Sequence, residues 1–235
     1  MRIALATHRP ALFGALLAVA LIVTLPMRLA LAWLDAGSTG LAAREVNGSV
    51  WDARLSDAEL GEVPLGDVGA ALSPLDLLFG RARIALRGKG LDGIRGSLVV
   101  SRHSAGIAGM SGSLAVGPRL APIPITRLDL TGVTARFANG ACDHADGRVT
   151  ALLATDVADL ALPTSLSGDV RCDGKALLVP LASGLDGIDL RLQPSGRYRA
   201  IVRFHPQGPA AIHAAEALGM RAGADGFGLT MEGRF

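Results

Sequence analysis

The chain has 235 residues and a net charge of +2, and half of it is apolar although aromatic residues make up only 4%; this length suits one ordinary domain or two small ones. Its 30 glycines and 12 prolines argue against a helical bundle and for many turns between short strands. The basic residues are scattered and nearly all arginine, with no Lys/Arg block interleaved with aromatics, which excludes nucleic acid as a partner.

The first element in chain order is the apolar segment. Ala11 to Met27 carries no charge, and after Arg28 the apolar character resumes through Leu34. Spanning hydrocarbon takes roughly 20 residues, with about 17 near the lower limit. Arg28 can snorkel to the far interface and Trp33 suits an interfacial belt. The expectation is a cytoplasmic tail over residues 1–10 and a transmembrane signal-anchor helix over residues 11–34. Arg2 and Arg9 precede the run, which keeps the amino terminus in the cytoplasm and places everything past about residue 35 across the membrane. The rival reading is a cleaved signal peptide, with Ala30-Leu31-Ala32 as the small-residue cleavage site and Trp33 as the new terminus. Both readings export the rest of the chain.

Past residue 45 the pattern becomes alternation between short polar breaks. Trp51, Ala53 and Leu55 alternate with Asp52 and Arg54, so the tryptophan is expected to open the first strand as a core or interfacial anchor. Val68, Ala70 and Leu72 follow, then Ala82, Ile84 and Leu86 against Arg81, Arg83 and Arg87. Later come Val133, Ala135 and Phe137, then Val149, Ala151 and Leu153, then Ile188, Leu190 and Leu192. Tyr198, Ala200, Val202 and Phe204 alternate with Arg197, Arg199 and Arg203. Period two with one polar side predicts half-buried antiparallel strands. Two helical inserts are expected: "SPLDLLFG" (73–80), opened by Ser73 and Pro74, and "GPAAIHAAEALG" (208–219), ended by Gly219. The predicted fold is all-β, a curved antiparallel sheet or sheets behind one N-terminal helix.

The chain also repeats itself. "GLDGI" occurs at 90–94 and again at 184–188, "GDVGAAL" (66–72) matches "GRVTALL" (147–153), and "WDARL" (51–55) matches "VTARF" (133–137). The matches share one order, which predicts a duplicated β unit, the first over residues 45–131 and the second over 132–235. Under this alignment Cys142 corresponds to Leu60 and Cys172 to Leu86. Those leucines are then expected to be neighbours on facing strands.

Cys142 and Cys172 are the only cysteines. An even pair in an exported chain is most simply a disulfide. Metal binding through Cys142 and His144 is a poor match to zinc spacing, and no metal or cofactor is expected. His8, His103, His144, His205 and His213 do not pair at metal or triad spacing. "SRHSAG" and "MSGSL" contain no nucleophile elbow, and "GKGLDG" lacks the spacing of a phosphate loop. Asp57, Glu59 and Asp67 fall in turns or on polar faces, and Asn47-Gly48-Ser49 matches a glycosylation acceptor that arises often by chance. No catalytic residues emerge, so an enzyme is not expected.

The order of features resembles the type II secretion system protein N family of Gram-negative bacteria. The resemblance rests on the short basic tail before one apolar anchor, "NGSVWDARL", "GDVGAALSPLDLLFGRARIAL", the Cys142/Cys172 pair in the second half, and the ending "AAEALGMRAGADGFGLTMEGRF". It covers nearly the whole chain. It implies an inner-membrane protein with a periplasmic β-rich domain, accessory to machinery that exports folded proteins across the outer membrane, with other secretion components as partners. The family carries no catalytic residues to transfer. The alternative is a membrane-anchored lipid-binding or lipid-transfer β module, like AsmA-type or lipopolysaccharide-transport domains. That role needs an open apolar strip along the sheet, whereas a secretion component can close its apolar face and offer edges and loops.

Overall fold

A computed structural model describes residues 9–29, 41–60, 63–89, 93–115, 125–154, 163–217, 219–223 and 226–234. Helix α1 (Arg9–Val23) is followed by β1 (Leu41–Ala42), β2 (Glu45–Ser49), β3 (Asp52–Leu60) and β4 (Val63–Leu72). A short α2 (Pro74–Leu78) leads into β5 (Arg81–Gly88), β6 (Arg95–Ser101), β7 (Ser104–Ala115), β8 (Ile125–Ala138) and β9 (Ala141–Leu153). Then come β10 (Ser165–Asp169), β11 (Arg171–Asp173), β12 (Ala176–Ser183), β13 (Asp186–Leu192) and β14 (Arg197–Phe204). Helix α3 (Pro209–Ala217), β15 (Arg221–Gly223) and β16 (Gly226–Arg234) complete the chain order.

All the strands belong to one open sheet of 16 strands, and every pairing is antiparallel. From β3 onward the chain meanders, each strand beside its predecessor, until β16 inserts between β14 and β15. The predicted alternation holds strand by strand. Ala53 and Leu55 are buried against exposed Asp52 and Arg54, and Ala82, Ile84 and Leu86 turn inward against exposed Arg81, Arg83 and Arg87. Val133 and Ala135, then Val149, Ala151 and Leu153, are buried. Both helical inserts appear: the Ser73 hydroxyl caps α2 by accepting from the Asp76 N–H at 3.3 Å, and Gly219 stands past α3 at φ +80°.

Among the described residues no second sheet covers the inward face, so the sheet buries most of it by curving. The largest buried cluster runs from Ile94 and Met110 through Val133, Val149 and Leu166 to Leu181 and Ile188. A smaller one holds Ala53, Leu55, Ala58 and Ala70, and Leu65 and Leu86 pack against both. Curvature enters at register shifts in the pairings of β3, β6, β7, β8 and β9, because a bulge adds a residue to one strand and deepens the local twist. At Gly168 the backbone of β10 meets β12 so closely that a Cβ would collide with the Pro180 carbonyl.

Several expectations need correction. Trp51 does not open the first strand; it sits in the turn after β2, half-buried, because Glu45–Ser49 already pairs with β3. The helix expected over 11–34 ends at Val23, about 22 Å long at 1.5 Å per residue. Pro26 cannot continue it and instead bridges to Ser49 at the sheet. No described helix is long and apolar enough to cross a membrane; residues 30–34 of the expected span lie outside the described residues.

Leu60 and Leu86 are not neighbours. Leu60 pairs with Val63, whereas Leu86 pairs with Ala70, itself opposite Ala53. The seven positions from Ala53 to Leu60 separate them by roughly 20 Å along the strand. Register also breaks the residue equivalence: Ala53 faces Ala70, but Ala135 faces Ala145 rather than Ala151. The 131/132 boundary falls inside β8, and the sheet continues through it. The second "GLDGI" copy runs from the turn after β12 into the first residues of β13, whereas residues 90–92 of the first lie outside the described residues.

Cys142 and Cys172 are bonded, with Cα atoms 5.5 Å apart and a sequence separation of 30. Both pack in the main cluster. Replacing both with serine should lower stability by about 3.5 kcal/mol in the chain-entropy account, read as a drop in the urea midpoint. Gly168→Ala should cost about 1–3 kcal/mol by overpacking. An unchanged midpoint in Gly168→Ala would show that β10 and β12 separate freely.

Candidate interaction surface

The sequence offered individual polar residues rather than a constellation, and the fold keeps them apart. His103 lies in the turn after β6, and its carbonyl accepts from the Asn139 N–H at 3.0 Å. His144 is exposed on β9 opposite Arg136. His205 sits near the other end of β14's ladder, its backbone N–H donating to Asp186 at 2.8 Å. His213 lies on α3, 3.6 Å from Glu216; His8 falls outside the described residues. Among the described residues no three His, Cys, Asp or Glu side chains group as a metal site.

The serines of "SRHSAG" shape a hairpin. The Ser101 and Ser104 hydroxyls are 2.7 Å apart, and the Ser104 N–H donates to Ser101 at 3.2 Å. Asp57, at φ +48°, occupies the bulge in β3. Its N–H donates to Asp67 at 3.2 Å and Lys89 donates to the same carboxylate at 2.8 Å. The Lys89 bond, then the Asp57 N–H, hold Asp67 below the usual carboxylate range. The acidic turn residues therefore tie strands together. Glu59 is exposed on β3, as is Asn47 on β2 opposite Arg54.

The outward face is a field of cross-strand ion pairs that sequence reading did not single out. Arg148 of β9 grips Asp169 of β10 with Nε and Nη2 at 2.8 and 2.9 Å. That fork holds Asp169 low and Arg148 high. Arg136 pairs with Asp143, Arg191 with Asp173 at 2.8 Å, Arg203 with Asp189 at 2.8 Å and Arg199 with Glu232 at 2.7 Å. The signal was available in the arginine alternation, but the carboxylate partners come from neighbouring strands. Exposed pairs of this kind add little stability. They keep the outer face polar and pin register.

Two shallow clefts open on the surface. One of about 420 Å³ is lined by Val99, Ser104, Ile107, Thr134, Arg136 and His144. The Ser104 hydroxyl there bonds Ser101 rather than a histidine. The other, about 320 Å³, is lined by Arg191, Gln193, Arg197, Tyr198, Arg199 and Glu232, whose charges already face one another. Neither assembles a nucleophile with a base.

What remains is surface for contact. The inward apolar strip is closed over most of its length, with Val133, Ala151, Leu166, Leu181 and Ile188 each buried. The last strand is open: β15 pairs with β16 only through Gly228, so the outer side of 229–234 has no partner among the described strands. Large apolar side chains are exposed on α1 and α2.

The acid dependence of the polar face follows from its carboxylates. A carboxyl held below its unfolded value of about 3.9 contributes stability that is present above that value and lost as pH falls through the folded value. The thermal midpoint of the protein should therefore fall below about pH 4. The Asp67→Asn/Asp169→Asn double variant should show a shallower fall in the same titration, followed by circular dichroism.

The family described as type II secretion system (T2SS), protein N, matches residues 39–230, from just before β1 to within β16. No curated protein and no solved structure matches the chain. The match spans the sheet from β1 to the first part of β16, including the turn around Trp51, the disulfide and α3. The chain therefore belongs to the type II secretion system protein N family, and it is a component of the type II secretion system.

Proposed function

We propose that this secretion component is a non-catalytic contact module, tethered to the inner membrane by its N-terminal segment with its sheet in the periplasm. The observation that carries the contact role is the open edge of β16. Along residues 229–234 alternate residues present backbone donors and acceptors on a side where no described strand pairs. Such an edge is a template for another strand, and the polar outer face beside it keeps the surface soluble.

Two features support the placement. Helix α1 is apolar around its circumference, with Phe13, Leu16, Leu17, Val19, Leu21 and Val23 all exposed, and a helix apolar all round belongs in a nonaqueous setting. With residues beyond the helix's end, the apolar run reaches the length of a span. The Cys142–Cys172 bond suits an oxidising compartment such as the periplasm. The lipid-transfer alternative needs an open apolar strip, and the buried residues of the inward face argue against one.

The test is the location of a secreted hydrolase in a strain lacking this protein. Folded enzyme should accumulate in the periplasm, with transport across the inner membrane intact; an accessory part gives a partial defect. Untouched secretion with raised outer-membrane permeability to detergents would transfer the role to lipid handling.

A further inference from the structure

Every strand end falls on one of two rims of the sheet, and one rim gathers apolar and basic groups around the end of α1. The Val50 N–H donates to the Leu25 carbonyl at 3.0 Å, and the Leu72 N–H donates to the Val50 carbonyl at 3.0 Å. Residue 72 is followed by Ser73, the N-cap of α2. Helix α2 therefore stands about two strand spacings, roughly 10 Å, from the end of the apolar segment. Met27 packs against the cluster of Ala53 and Leu55, which fixes that segment to this corner.

Helix α2 is an apolar knob. None of its residues is buried; Leu75, Leu78 and Phe79 are 68%, 82% and 75% exposed, and Leu77 is 41% exposed. Its amino end is fixed by the Ser73 cap and its far end by the Gly80 N–H donating to the Leu77 carbonyl at 2.9 Å, so the exposure belongs to a built structure. The next hairpin on the same rim, between β6 and β7, adds Val100 at 49% exposure beside Arg102. Arg28, Arg81 and Arg102 are exposed around this patch, and none belongs to the ion pairs found among the described residues. Several arginines of the outer face, among them Arg136, Arg148, Arg191 and Arg199, hold carboxylates instead.

We propose that this corner lies on the lipid bilayer, with Leu75, Leu78 and Phe79 dipped into the headgroup boundary and Arg81 and Arg102 against anionic headgroups. The inference rests on the reading of α1 as part of a membrane tether. A cluster of exposed leucines and a phenylalanine ringed by unpaired cations matches the chemistry of an anionic membrane surface, which takes apolar side chains to a depth of about 5–10 Å and attracts arginine. A free-standing patch of this kind in water is otherwise costly. Two contacts at one corner, α1 and α2, orient the sheet where a single helix would leave it swivelling. The edge of β16 lies at the opposite end of the strand order.

The full chain has no free cysteine besides the bonded pair, so single cysteines can be introduced and labelled with an environment-sensitive fluorophore. Leu78→Cys reports on α2, Leu17→Cys on α1, and Ser183→Cys on the opposite rim, in vesicles of phosphatidylethanolamine and phosphatidylglycerol carrying spin-labelled lipid. Residue 78 should be quenched several-fold more than residue 183, and an added Arg81→Glu/Arg102→Glu change or vesicles of phosphatidylcholine alone should remove most of that difference. Quenching at 17 without quenching at 78 overturns the proposal and leaves the tether standing. Quenching at 78 without quenching at 17 supports surface binding and sinks the tether. Shielding of 78 only in native membranes, with none in vesicles, assigns the knob to a protein partner and also overturns the proposal.

Discussion

The structure depends on one constraint: a single sheet must bury its own apolar face. The hydrophobic return is roughly 25 cal/mol for each Å² of apolar surface removed from water, and among the described residues no second sheet supplies cover. Curvature does. Bulges let strands that are not neighbours in the ladder share one cluster, so that Leu65 and Leu86 meet residues from β8 to β13. Small residues permit the tight places: Ala53, Ala151 and Ala200 are fully buried where a larger side chain would push the layers apart, and Gly168 lets β10 reach β12. The disulfide holds β9 to β11 in the same region, where the strand after β9 breaks at Val170 into β10 and β11.

Closing that face decides what the rest of the surface can do. With the apolar strip buried, the outer face is polar and carries several cross-strand ion pairs. Catalysis needs groups converging on a shared space. In a meander, polar side chains spread over a convex sheet diverge instead. Binding is a different matter, because a meander that does not close leaves edges. One end is covered by β1 and β2 against β3, and the other is covered for only the first part of β16. That exposed strand edge belongs to a member of a type II secretion family.

The two ends of the strand order also differ in chemistry. The α1 and α2 corner is apolar and basic, while the β14–β16 end is polar and backbone-rich. That difference runs along the hydrogen-bonding direction of one sheet rather than between domains. Rigidity along that direction comes from continuous ladders.

Much of this was legible in the chain. Period-two alternation located the inward residues of β3, β4, β5, β8, β9, β13 and β14, and the signals at Ser73, Pro74 and Gly219 marked both inserted helices. The cysteine pair declared its own bond. Less visible was β7, "SAGIAGMSGSLA", which reads as a loop because glycines and serines break the pattern, yet it lies mid-sheet between β6 and β8. Its neighbours supply the ladder, and its glycines allow the bulges. Repeated segments misled at the level of residues, since similar words entered different registers, with Ala53 opposite Ala70 but Ala135 opposite Ala145. Trp51 and Pro26 were placed by pairing with Ser49 and β3 rather than by their own preferences. Alternation is a local property of a strand, and the sequence determined it alone; register, curvature and the nearness of α2 to the segment after α1 were decided only by the tertiary structure, because they follow from hydrogen bonds between residues far apart in the chain.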